Sequence, residues 1–264
     1  MSADVSELRP YLVAVAAVFG AVIGSFLNVC IVRWGAEPKQ SVVRPRSRCP
    51  KCGKGIAAYD NIPVLSWLIL RGRCRGCGNP ISVQYPLVEI ATALIWAYMI
   101  ARHGPTLEAL RGAVFGTILL GIGMTDARAY LIPDEFTLGG LVLGLLFSLA
   151  GGWAAILDAT FGAAVGFLLL WAVGAGGTWL FKQEAMGGGD IKMMAMVGAF
   201  LGWRGVLLTI FLGALLGSLI FVPLHLAGSK KLVPFGIFLA LGAAAAWLAG
   251  PSVYEWYAGY VGLT

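Results

Sequence analysis

Met186-Gly187-Gly188-Gly189-Asp190-Ile191-Lys192 sets an aspartate behind three glycines where two long apolar segments meet, Ala154 to Leu180 before it and Ile191 to Gly202 after it. An ionisable group at the edge of an apolar span is costly to desolvate and needs a partner or a task. Glycines lack Cβ atoms and let another backbone approach closely, which suits a carboxylate that must meet an extended peptide. In a chain with 37 glycines, the same pattern also reads as a glycine-rich turn bearing a solvated aspartate.

The composition outside this stretch excludes a soluble globular domain. The 264 residues are 59% hydrophobic and 12% charged, with a mean hydropathy of +0.83, the profile of a polytopic membrane protein. In lipid each backbone group must be satisfied inside the structure, and these apolar runs are too long and too little alternating for barrel strands. The predicted fold is therefore all-α, with about eight transmembrane helices. They are expected at Tyr11 to Val32, Leu87 to Ile100, Ala109 to Thr125, Phe136 to Ala150, Ala154 to Leu180, Ile191 to Gly202, Val206 to Leu226 and Phe235 to Leu248. Residues 1–32 then form the first helix, 33–85 a polar loop domain, and 86–264 a multi-span core.

Charge sets the expected orientation. Between Arg33 and Gln84 lie ten of the 19 Lys and Arg, against Glu37 and Asp60 alone, so the loop is expected on the cytoplasmic side. The start, with Asp4, Glu7 and a single Arg9, lacks the basic region of a signal peptide, and the first span reads as retained. Lys230 and Lys231 are expected inside and the tail from Pro251 to Thr264, which has no Lys or Arg, outside; eight spans satisfy both. A nucleic-acid partner is not expected, because no nucleic-acid-binding fold accompanies the basic patch. Asp158, near an outer helix end, reads as interfacial. His103 reads as a loop residue, and His225 and Cys30 as packing or interfacial residues.

The loop carries Cys49-Pro-Lys-Cys52-Gly and Cys74-Arg-Gly-Cys77-Gly. A tetrahedral zinc site needs four soft ligands, and each Cys-x-x-Cys turn supplies two of them. Two disulfides are the alternative, but they conflict with a reducing cytoplasm. With all four positions filled by cysteine, the expected zinc is structural and has no open position for catalysis.

Asp126 and Asp190, 64 residues apart, both fall at cytoplasmic ends of spans. Two carboxylates that meet in a low-dielectric site share a proton, offering a base to activate water and an acid to protonate a leaving amine. They also read as separate helix-end residues facing water. Pro133 cannot continue the preceding helix, so Asp126 is expected to end one span and Asp134 to cap the next.

The chain resembles the bacterial type IV prepilin peptidases of the bifunctional kind. The residues that carry the likeness are Gly24-Ser-Phe-Leu-Asn-Val29, Arg46-Ser-Arg-Cys49-Pro-Lys-Cys52, Tyr59-Asp-Asn-Ile-Pro-Val-Leu-Ser-Trp67 and Arg71-Gly-Arg-Cys74-Arg-Gly-Cys77. They continue with Tyr85-Pro-Leu-Val-Glu89, Asp126 with Ile132-Pro133-Asp134, Gly187-Gly-Gly-Asp190-Ile-Lys192 and Val233-Pro-Phe-Gly236. Each is modest alone, and their order and spacing over nearly the whole chain are specific. The resemblance implies that Asp126 and Asp190 are an aspartyl protease dyad in a bacterial cytoplasmic membrane. It implies cleavage of the leader from prepilins or pseudopilins, then methylation of the new N-terminus from S-adenosylmethionine. No donor pocket is visible in the sequence, and Glu89 reads either as ordering the loop or as serving methyl transfer. The rival readings are the same protease without methylation, a non-catalytic zinc-knuckle membrane adaptor, and a transporter.

Overall fold

The computed structural model describes residues 5–227 and 234–261. Asp4, Lys230, Lys231, Val233 and residues 262–264 lie outside the described residues, as do the side chains of Glu7 and His225. Among the described residues the regular structure is helical: α1 (Val5–Trp34), α2 (Leu65–Ile69), α3 (Gln84–His103), α4 (Leu107–Ala129), α5 (Asp134–Ser148), α6 (Gly152–Phe181), α7 (Gly188–Leu226) and α8 (Phe235–Val261). The chain divides into two compact units, Met1–Gly121 and Ile122–Thr264.

Among the described residues six stretches are long and apolar enough to cross a membrane: Leu8–Trp34, Gln84–His103, Leu107–Ala129, Asp134–Phe181, Gly188–Leu224 and Phe235–Val261. Two of them contain a break at a glycine with left-handed backbone, Gly152 (φ 73°) between α5 and α6 and Gly202 (φ 66°) inside α7. The second falls where the sequence divides two spans around Trp203-Arg204. The 15 residues of α5 reach about 22 Å at ~1.5 Å per residue, short of a hydrocarbon core of about 30 Å. The expected tail after Pro251 differs from what is observed, since α8 continues through it to Val261. In that segment Trp256 and Tyr260 stack one turn apart with ring centroids 6.0 Å apart.

In the first unit α1 and α3 touch through their backbones. A Cβ at Gly20 would lie 2.8 Å from the Thr92 carbonyl oxygen, and one at Gly24 would lie 2.8 Å from Glu89 Cα. Small residues allow this approach, and close packing replaces the missing hydrophobic drive between helices in lipid. Buried Asn28 uses the same proximity, donating to the carbonyls of Gly24 (3.3 Å) and Tyr85 (3.0 Å). In the second unit α7 packs against α5, α6 and α8, and Met193, Met194, Met196 and Val197 of its first half are buried. A Cβ at Gly198 would lie 2.0 Å from the Gly162 carbonyl oxygen, and one at Gly166 2.1 Å from that of Met194. The two helices are thus locked in register at two successive turns, and this register places the first turn of α7.

Candidate active site and metal centre

Asp126 lies in the last turns of α4 and is 5% exposed. Its Oδ2 accepts the Ile237 N–H (3.2 Å) in the first turn of α8. Asp190 stands in the first turn of α7, where its own N–H donates to the Gly187 carbonyl (3.2 Å). Its Oδ1 is buried with no hydrogen-bond partner, and the charge that acts on its carboxylate is that of Asp126. The two aspartates singled out in the sequence are therefore electrostatic neighbours. A buried carboxylate oxygen without a donor carries a desolvation cost that a water, a hydroxyl or a peptide N–H would relieve.

Ile132, 8% exposed, is wedged between the first turns of α7 and α8. A Cβ at Gly189 would lie 2.8 Å from Ile132 Cβ, and one at Gly236 2.7 Å from Ile132 Cδ1. Gly189 therefore serves the approach of α7 to the α4–α5 connection. Gly187 is exposed, and a Cβ there would lie 3.3 Å from Asp190 Oδ2. Asp134 is not the expected helix cap. Pro133 occupies the N-cap position with extended backbone (φ −64°, ψ 137°), and Asp134 is the first helical residue. Its carboxylate takes both contacts of Lys192 Nζ, at 2.8 and 2.9 Å. A charge-assisted pair is about twice as strong as a neutral hydrogen bond, so an ammonium within reach displaces a capping role. That pair ties the first turn of α5 to the first turn of α7. Nothing in the sequence signals the Lys192–Asp134 pair or the Asp126–Ile237 bond, although Asp126, Asp134 and Lys192 lie in stretches that carry the family resemblance.

In the first unit the four loop cysteines converge. All five cysteines of the chain are free thiols, and the sulfurs of Cys49, Cys52, Cys74 and Cys77 lie within 4.8 Å of one another. The Cys49 and Cys77 sulfurs are 3.8 Å apart, matching the edge of a tetrahedron with metal–sulfur bonds of about 2.3 Å. This donor set could hold a metal ion. The knuckles are built alike: Cys49 N–H donates to Lys54 O and Gly53 N–H to Cys49 O, while Cys74 N–H donates to Asn79 O and Gly78 N–H to Cys74 O. Gly53 (φ 69°) and Gly78 (φ 70°) take the left-handed conformation that each turn requires. The N–H groups of Cys52 and Lys51 pull the Cys49 thiol down to about 6. Arg75 of the second knuckle donates to both oxygens of Asp60 (2.7 to 3.1 Å) and lies over the Tyr59 ring. Its guanidinium holds the Asp60 carboxyl below the ordinary carboxylate range.

Glu89 has an ordering role. Its Oε2 accepts the Val64 N–H (2.7 Å), and the Ser25 hydroxyl also bonds it. Val64 is a β-branched residue at φ 62°, a strained conformation that persists only where neighbours hold it. Glu89 supplies that hold at the start of α2. Asp158 lies against the break in α7, since a Cβ at Gly202 would meet Asp158 Oδ2 at 2.3 Å.

Comparison with known proteins covers the same ground. Residues 18–103 match the model described as Bacterial Peptidase A24 N-terminal domain, and residues 113–222 match the Type IV leader peptidase family. A protein of Aeromonas hydrophila named prepilin leader peptidase/N-methyltransferase is 39% identical over 268 residues, covering 90% of this chain and 91% of the relative. Its namesake in Pseudomonas aeruginosa is 39% identical over 271 residues, with 92% of each chain covered. Another in Myxococcus xanthus is 42% identical over 229 residues, covering 85% of this chain and 68% of the relative. No solved structure matches. With relatives of this identity aligned almost end to end and both family regions in order, the chain belongs to the type IV leader peptidase family.

Proposed function

We propose that this protein cleaves the leader peptide from type IV prepilins or pseudopilins with Asp126 and Asp190. We further propose that it methylates the new N-terminal residue using S-adenosylmethionine. The observation that supports the peptidase reading is the packing of Ile132 between Gly189 and Gly236, which draws Asp190, with a buried oxygen that lacks a donor, toward Asp126, which α8 anchors. In the reaction one carboxylate takes a proton from water as the water oxygen bonds to the scissile carbonyl carbon. The other, protonated, gives its proton to the nitrogen as the C–N bond breaks. Gly187, exposed beside Asp190, leaves room for the extended substrate backbone, whereas the space at Gly189 is taken by Ile132.

The loop of residues 33–85 is taken as the methyl-transfer region, beside a first helix at 1–32 and a protease core at 86–264. Cys49, Cys52, Cys74 and Cys77 hold a structural zinc ion that keeps the two knuckles together. The methyl donor supplies an electrophilic methyl group, and the protein's part is to align the freed amine with it. The basic loop and the dyad face the cytoplasm of a bacterial inner membrane, where a prepilin's apolar helix leaves its leader. Eight spans follow if the stretches broken at Gly152 and Gly202 each cross twice.

The test is mass spectrometry of a prepilin bearing its cognate leader, incubated with purified protein and S-adenosylmethionine. Loss of the leader with one added methyl group is expected, and no cleavage by Asp126→Asn or Asp190→Asn. Cleavage without methylation would reduce the activity to a peptidase. An intact substrate would favour the zinc-knuckle adaptor or the transporter.

A further inference from the structure

Asp126 is held by groups that the reaction chemistry does not name. Its carboxylate accepts the Ile237 N–H (3.2 Å) and lies against the backbone of Gly236, the residue before. The first N–H groups of a helix have no partner within it, so α8 gives up no internal bond to make these contacts. The Ile237 donor and the close approach of Gly236 together hold the carboxylate in place and in rotation.

Gly236 is helical and absent from the residues with positive φ, so no backbone strain calls for a glycine. Glycine in a helix is also about 1 kcal/mol worse than alanine, which leaves its presence to be explained by space. A Cβ at 236 would lie 2.8 Å from Asp126 Oδ2, 3.2 Å from Asp126 Cγ and 2.7 Å from Ile132 Cδ1. It would push the carboxylate off its donor. Asp190 has no such seat, its Oδ1 being without a partner.

We propose that Gly236 is a positioning residue: the first turn of α8, open at this one position, seats the Asp126 carboxylate in the orientation that faces Asp190. This rests on the reading of the two aspartates as the catalytic pair. The seated member sets the geometry of the pair, and the unseated one is left to bind water or substrate.

The effect on Asp126 can be separated from simple crowding of Ile132. Gly236→Ala is expected to lower kcat for leader cleavage about tenfold or more, as small misplacement of a reacting group does, with KM nearly unchanged. Ile132→Val removes Cδ1, and with it the 2.7 Å clash, but leaves the clash with Asp126. The fall in kcat is therefore expected to persist when Gly236→Ala is made in the Ile132→Val background. Recovery in that background would make Gly236 a packing partner of Ile132 and overturn the proposal, as would unaltered kcat in the single variant.

A second readout does not depend on cleavage. Purified protein is treated with dicyclohexylcarbodiimide, and adducts at Asp126 and Asp190 are compared by peptide mass spectrometry. Gly236→Ala is expected to raise the Asp126-to-Asp190 labelling ratio severalfold, and an unchanged ratio overturns the proposal. If the wild-type protein leaves a cognate prepilin intact, the proposed function fails, and the ratio still decides whether Gly236 seats Asp126. Should Gly236→Ala not fold, Ile237→Pro removes one donor within the first turn of the helix, where proline is tolerated, and the same ratio is read.

Discussion

Asp126, Asp134, Glu89 and Asp60 are four acids with four different holds, and each hold predicts a different consequence of removal. The Asp134–Lys192 pair is substantially exposed, at 46% and 39% of the side chains, and exposed pairs contribute about 0–1 kcal/mol. Lys192→Met should therefore shift the thermal midpoint in detergent little, and a large fall would show that the pair does more than tether α5 to α7. Glu89 is buried, and its removal strands the Val64 N–H. Leaving a buried donor unpaired costs roughly 1–3 kcal/mol. Glu89→Ala should speed limited proteolysis between Arg33 and Tyr85, while Glu89→Gln, which keeps an acceptor oxygen, should recover part of the protection. Equal proteolysis of wild type and Glu89→Ala would remove the ordering role. The type of residue at each position is plain in the sequence; its partner is not, because the contacts join residues 15 to 111 positions apart.

At the scale of elements, α6 and α7 depend on one another through backbone contact. Gly198→Val would drive a side chain into the Gly162 carbonyl, 2.0 Å from where its Cβ would stand. Overpacking of this kind costs about 1–3 kcal/mol and occasionally more, and it would tilt the helix whose first turn holds Asp190. Loss of thermal stability together with loss of cleavage is the expected outcome, checked by unfolding in detergent and by the leader assay. The knuckles form the other self-contained element. Bound zinc should be near one per chain by elemental analysis, and Cys77→Ser should lower it sharply. A chelator should expose the loop to protease while the helices stay folded by circular dichroism. Zinc content unchanged in Cys77→Ser would dismiss the four-sulfur site. Both knuckles were legible in advance, since the residues that close each turn, including Gly53 and Gly78, are local. The Gly162–Gly198 contact was not, because glycines are frequent throughout this chain and only the helix register selects the ones that touch.

For the whole molecule, the charge asymmetry predicts sidedness: protease added to inverted membrane vesicles should cut within residues 33–85, and right-side-out vesicles should be resistant. The opposite pattern would reverse the proposed topology. By itself the sequence determined that the chain is an all-helical membrane protein with a four-cysteine loop and two acids of interest. Composition and lipid solvation act on every residue and need no partner, and a metal knuckle is written in one short stretch. What only the tertiary structure decided is which atoms meet: Ile132 between Gly189 and Gly236, Asp126 on the Ile237 amide of α8, Lys192 on Asp134. It also decided that α8 passes through Pro251 and that Asp158 lies against the break at Gly202, where the sequence had already divided two spans. Such contacts arise from the approach of helix ends distant in the chain, and that approach is set by close packing over many residues rather than by any local signal.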